Sequence, residues 1–161
     1  MIGRRLPEEV RRLALPRGER ALAYAVTDAG MPVVGTRVAL HLGERRIPWE
    51  QVHSADWEPE EEQLRISEIG EFAEQRPVHV LSLSEPDRLL DLVRERVTST
   101  MVLQRHVPIR GDKGVFVIAR RSPAGETTWY FDFQQGIDPL DPEVRRLAHA
   151  AMARIRADQG P

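Results

Sequence analysis

Residues 35–66, GTRVALHLGERRIPWEQVHSADWEPEEEQLRI, decide how this chain folds. Between positions 37 and 42, Val38, Leu40 and Leu42 alternate with Arg37, Ala39 and His41. That period of two puts one face of a strand into a core and leaves the other outside. Gly43 and Glu44 then turn the chain. After RRIPW, residues 52–57 (VHSADW) read as a strand and the acidic bend EPEEE at 58–62 reverses it. Leu64, Ile66 and Ile69 carry the apolar side of the strand that follows. Trp57 falls opposite Leu64 across the bend, an aromatic–aliphatic cross-strand pair. The stretch therefore predicts hairpins laid end to end, and so an antiparallel sheet.

Toward the N-terminus, PEEVRRLA at 7–14 reads as a short helix, with Pro7 in its first turn and Glu8 and Glu9 complementing the dipole. Pro16 and Gly18 stop it, and ALAYAVT at 21–27 followed by DAGMP reads as a strand and a hairpin turn. Toward the C-terminus, PVHVLSL at 77–83 is a further strand. Ser84 with Asp87 three positions on reads as the cap of a helix whose apolar stripe is Leu89, Leu90, Val93, Val97 and Met101. VLQRHVPI, the turn RGDKG and VFVIA at 115–119 come next, the last apolar on both faces like a central strand. In TTWYFDF, Trp129, Phe131 and Phe133 share a face. Asp141 caps the final helix, Pro142 opens it, and Val144, Leu147, Ala148, Ala151 and Ile155 recur at helical spacing.

The expected class is α+β: a bent antiparallel sheet or half-open barrel closed by a helix, followed by a ββα extension ending in an amphipathic helix. Three segments result, a short N-terminal helix in 1–18, a β-rich core in 19–101, and an extension in 102–161 packed on that core as one compact unit. The composition shifts near residue 100, at TSTM.

A globule of 161 residues buries roughly 68–70% of its unfolded surface, enough for a real core. With 41% apolar and 30% charged residues the chain is globular rather than disordered. It has no cysteine, which excludes disulfides, thiolate metal ligands and a cysteine nucleophile. No apolar run approaches the roughly 18 residues of a membrane span, and MIGRRLPEEVRRLAL lacks the apolar region of a secretory signal. The expected location is the cytoplasm. Of 23 basic residues only Lys113 is lysine, a bias that a GC-rich genome produces.

The succession of a strand, VVGTRVALHL, a glycine turn, RIPWEQVHSADW, LRI, VHVLSL and an amphipathic helix resembles the bacterial pleckstrin-homology-like fold over residues 19–101. The T-x-R-x-A-L-x-L strand and the I-P-W-x-x-V step carry that likeness. Through LPRGERALA, RERVTSTMVLQRHVPI and LDPEVRRLAHAAMARIR the whole chain also resembles small proteins of high-GC Gram-positive bacteria, a likeness that implies no particular activity. The fold resemblance implies lipid head-group binding, peptide binding or plain scaffolding. Two departures stand out: the loop between the first two strands is DAGMP instead of a basic phosphate-binding loop, and the extension after the helix is additional. The first argues against phosphoinositides.

Histidines 41, 53, 79, 106 and 149 include no HExxH. His41 and His53 would lie opposite each other if their strands formed a hairpin about residue 47, but no third ligand accompanies them, so no metal is expected. Gly-x-Ser-x-Gly is absent, and RGDKG has neither the length of a P-loop nor the helix that should follow it. The acidic run at 58–62 reads as a solvated loop, Glu68, Glu71 and Glu74 are further acids beyond it, and Asp87, Asp141 and Glu143 serve helix starts. No catalytic residue and no cofactor are expected.

Charge is distributed unevenly. Residues 56–75 hold eight acids against Arg65, a balance of −7; residues 105–121 hold five bases against Asp112, a balance of +4. Pairing of the strands at 103–110 and 115–121 would gather Arg105, Arg110, Lys113, Arg120 and Arg121 near one edge, a candidate site for an anion or an acidic partner. The plainer reading is a sheet edge protected by charge. The function expected is a non-enzymatic interaction or scaffold module whose partner is another protein or a second copy of the chain. The alternatives are anionic-ligand binding through the basic hairpin, with Trp129 or Tyr130 as stacking surface, and a small-molecule enzyme. A net charge of −2 and only 6% aromatic residues argue against nucleic acid and membrane surfaces. The terminal amphipathic helix suits a homodimer.

Overall fold

Gly43, held at φ 58°, and Glu44 reverse the chain so tightly that RRIP, directly after them, becomes a strand in its own right. A computed structural model describes residues 6–160, with three α-helices and three small antiparallel sheets. The chain divides into two units: one runs to Gly70 and includes Arg76–Thr100, the other comprises Glu71–Gln75 and the residues from Met101 onward.

In the first unit, β1 (Ala23–Val26), β2 (Pro32–Gly35), β3 (Ala39–Leu42) and β4 (Arg45–Pro48) form one sheet in chain order. All four residues of β3 are buried, so the alternating exposure expected from 37–42 does not appear. The sheet is covered on both faces. Ala23, Val33, Leu40, Leu42 and Ile47 face the main apolar cluster. On the other face lie Val34, His41 and Arg46, in register with one another, and helix α1 (Glu8–Arg12) packs on β1 and β2 with Val10 buried.

A 3-10 turn at Trp49–Gln51 carries the chain into a second sheet of β5 (Val52–Glu58), β6 (Gln63–Glu68) and β7 (Val78–Ser82). Trp57 pairs with Leu64, as the hydrophobic pattern predicts. Because β3 is paired with β4 and β5 belongs to the other sheet, His41 stands opposite Arg46 and not His53. Two open sheets thus replace the single bent sheet, and no closed barrel forms among the described residues. Helix α2 (Asp87–Thr100) packs against β1, β2 and β5 through Leu89, Leu90 and Val93. A Cβ on Gly35 would lie 2.5 Å from Leu92 Cδ2, so a larger residue there would require the flexible Leu92 side chain to turn aside. The helix begins two residues later than a Ser84 cap implies and stops just short of Met101. Leu90 N–H donates to Pro86 O, which leaves Ser84 ahead of the first turn, and Met101 already belongs to a strand.

The second unit is a sheet of β8 (Met101–Arg110), β9 (Lys113–Arg121) and β10 (Thr127–Phe133), ordered β10-β9-β8, with helix α3 (Pro142–Asp158) packed on β8 and β9. Three strands precede the terminal helix, where a ββα arrangement was expected. Leu103, Val117, Ala119 and Ile155 form its core. Asp141 caps α3, its carboxylate accepting from the N–H groups of Glu143 and Val144. Phe72 meets Phe131 and Phe133 edge-on at 5.9 and 5.7 Å. At Gly114 the bulged β8 strand passes so near that a Cβ would sit 1.9 Å from Val107 O.

Gly114→Ala is therefore expected to lower unfolding stability by about 2 kcal/mol or more, because the clash is with backbone that cannot swing aside. Leu140→Ala, at a side chain 64% exposed, should stay within about 0.5 kcal/mol of the parent in the same urea titration.

Candidate functional site

Arg45 and Arg46 are neighbours on β4, and strand geometry sends them to opposite faces of the first sheet. Each meets a buried glutamate that also binds a histidine. On one face Glu19, whose side chain is only 6% exposed, accepts from Arg46 Nε at 2.9 Å, from His41 Nε2 at 2.9 Å and from Thr36 Oγ1 at 2.8 Å. On the other face Glu68 accepts from Arg45 Nε at 3.1 Å and Nη2 at 2.6 Å, and from His79 Nε2 at 2.7 Å. A carboxylate only accepts, so in both pairs the imidazole Nε2 carries the hydrogen. Glu68 lies on the same face of β6 as the buried Leu64 and Ile66 and is itself buried.

Burial pushes both carboxyls up, but their donors outweigh it. Hydrogen bonds from His41, Thr36 and Arg46, with the Arg46 charge, hold Glu19 below its ordinary value of 4.5. Those from Arg45 and His79, with both charges, hold Glu68 below 4.5 as well. Carboxylates saturated in this way are anchors, poorly suited to exchanging protons.

Beside the first of these networks an open groove of about 500 Å³ is lined by Gly18, Glu19, Arg20, Leu22, Arg37 and Arg96. Three segments supply its arginines. Arg20 lies on the approach to β1, Arg37 in the β2–β3 connection and Arg96 on α2. Gly18, at φ 89°, bends the chain into this approach, and Glu19 pins it. Arg96 follows Leu89 and Val93 on the buried stripe of α2, with Thr100 one turn on. Its stem is consequently covered and its head reaches outward. The Arg96 Nε is buried without a hydrogen-bond partner among the described residues, and its Nη2 is 3.7 Å from exposed Glu95. Arg20 and Arg37 are exposed. An arginine on an apolar stripe was the sequence signal for this groove. Arg20 and Arg37 leave no such mark, because their meeting with α2 is tertiary.

The five basic residues singled out from the sequence all lie in the second unit and are spread along its sheet. Arg110 and Lys113 face each other across the β8–β9 turn, and Arg110 Nη2 is 3.2 Å from Asp141. Arg120 and Arg121 stand at the far end of β9, seven and eight residues beyond Lys113, a separation of roughly 23 Å or more at strand rise. Arg120 is 3% exposed and its Nε donates to Tyr130 Oη at 3.1 Å. Arg105 is opposite Val117, and Arg121 opposite Thr127. The turn brings two of the five together, β9 holds two at its other end, and Arg105 sits between. Among the described residues no three His, Asp or Glu side chains gather as metal ligands, and no helix is long and apolar enough to cross a membrane. No protein-family model, curated protein or solved structure matches this chain.

The depressed carboxyls set a direction for acid unfolding. Below 4.5 the unfolded chain takes up protons that the folded Glu19 and Glu68 still refuse, so their stabilisation is complete above that value and is shed as pH falls through the lower folded values. Glu68→Gln should cost about 1.5–3 kcal/mol at pH 7, the scale of charged hydrogen bonds, and flatten the loss of stability below pH 4.5. Denaturant midpoints between pH 3 and pH 7 test this; an unchanged acid slope in the variant would contradict it.

Proposed function

We propose that this chain is a non-enzymatic recognition module that takes an anionic ligand in the groove formed by Arg20, Arg37 and Arg96. One observation carries the reading: three arginines from three separate segments line a single open groove, and the one rooted in the core has a buried donor without a partner among the described residues. Guanidinium forks match carboxylate and phosphate oxygens and stay charged at every physiological pH. The glutamate on the groove wall does not cancel them, since its oxygens are already engaged by Thr36, His41 and Arg46.

A sheet of four strands, a sheet of three and a helix, in that chain order, support a pleckstrin-homology-like reading of residues 19–101. In that reading the open sheets and α2 serve as the frame that holds the groove. The spread of Arg105, Arg110, Lys113, Arg120 and Arg121 favours the groove over the basic hairpin as the place where an anion is held.

Sulfate titrated at low ionic strength is the direct probe. It should shift the Arg96 Nε–Hε resonance and raise the unfolding midpoint. Arg37→Ala and Arg96→Ala should each weaken binding about tenfold, the equivalent of one charge-assisted contact of about 1.4 kcal/mol. Arg105→Ala and Arg121→Ala should leave it unchanged. Loss of binding in the hairpin variants with retention in the groove variants would move the site to the second unit and end this reading.

A further inference from the structure

We infer that the groove selects a dianion, and that its ligand is a small phosphomonoester on an aliphatic group. This deepens the anion-binding reading and rests on it. Arg20, Arg37 and Arg96 bring three positive charges against two described acids: Glu19, which is offset by Arg46 and bonded to His41 and Thr36, and Glu95, which is 67% exposed and forms a salt bridge with Arg96 at 3.7 Å. Coulomb attraction scales with ligand charge, so a surplus of this kind discriminates a dianion from a monoanion of the same shape.

Geometry adds a second selection. A planar carboxylate is satisfied by one bidentate fork, whereas the three terminal oxygens of a phosphate monoester point in different directions and can take forks arriving from separate elements. Here the arginines lining the groove come from the approach to β1, the β2–β3 connection and α2.

Size and lining decide the rest. The groove's volume of about 500 Å³ falls in the range of small-molecule sites and exceeds what a phosphate group alone would fill. Leu22, 43% exposed, offers an apolar wall for a short carbon chain. Among the described residues no aromatic side chain lines the groove to stack a nucleobase.

The test exploits titration of the ligand. Phosphomonoesters lose their second proton near pH 6, so glycerol 3-phosphate should bind roughly tenfold more tightly at pH 7.5 than at pH 5.0. Sulfate, dianionic at both values, absorbs any change arising from His41, Glu19 or Glu95 and should bind nearly equally at each. Methanesulfonate, a tetrahedral monoanion at both, should bind at least tenfold more weakly than sulfate, and adenosine 5′-monophosphate should gain nothing over glycerol 3-phosphate. A phosphoserine peptide in a parallel titration distinguishes a protein-borne phosphate from a metabolite. Arg37→Ala and Arg20→Ala, both at exposed positions, should erase the preference for sulfate over methanesulfonate without moving the unfolding midpoint. Equal affinity for sulfate and methanesulfonate, with a flat phosphate profile, would refute dianion selection and leave anion binding standing. Failure of every anion to bind would remove both.

Discussion

Two carboxylates buried inside the first unit govern how it is put together. Taking a carboxylate out of water costs several kcal/mol even after relaxation, so Glu19 and Glu68 are tolerable only because each is ringed by donors. Arg46, His41 and Thr36 surround the first, Arg45 and His79 the second. The consecutive arginines of β4 serve opposite faces of one sheet. A slip of one residue in the pairing of β3 with β4 would exchange those faces and strand both charges, which gives the short hairpin an electrostatic register as well as a hydrophobic one.

The same contacts join segments far apart in the chain. Glu19 ties the approach to β1 onto β3 and β4, and Glu68 ties β6 to β4 and β7. Loop closure of this kind is repaid only when the contact is strong, and multiply bonded buried ions are strong once formed. The groove follows from it. Once Glu19 is fixed and neutralised by Arg46, Arg20 beside it lines the same hollow as Arg37 and Arg96. The positive surplus there is produced by what has been used up on the wall.

The second unit shows the opposite outcome for charge. Its β8–β9 ladder is long, and alternation along a strand, together with a rise of about 3.3 Å per residue, spreads basic residues over both faces and both ends. Arg120 falls on a buried position and bonds Tyr130, while Arg110 pairs with the aspartate that caps α3. A cluster in sequence became a dispersed set in space, whereas three arginines at positions 20, 37 and 96 became neighbours on one surface.

How far the sequence reached depended on the range of the interaction. Hairpins, the Trp57–Leu64 pair, the Asp141 cap and the apolar faces of α2 and α3 are set by neighbours within a few residues, and they were readable from period and turn chemistry. The strand status of RRIP, the break into two sheets at Trp49–Gln51 and the burial of both faces of β3 were not, because each depends on which elements later cover that segment. Glu68 looked like one acid among many until β4 and β7 supplied its partners. The sequence by itself determined an antiparallel α+β protein without thiol chemistry. Tertiary structure alone decided which charges were consumed in the interior and which were left facing a groove, since pairing between ions depends on distance in space and carries no signature in the order of residues.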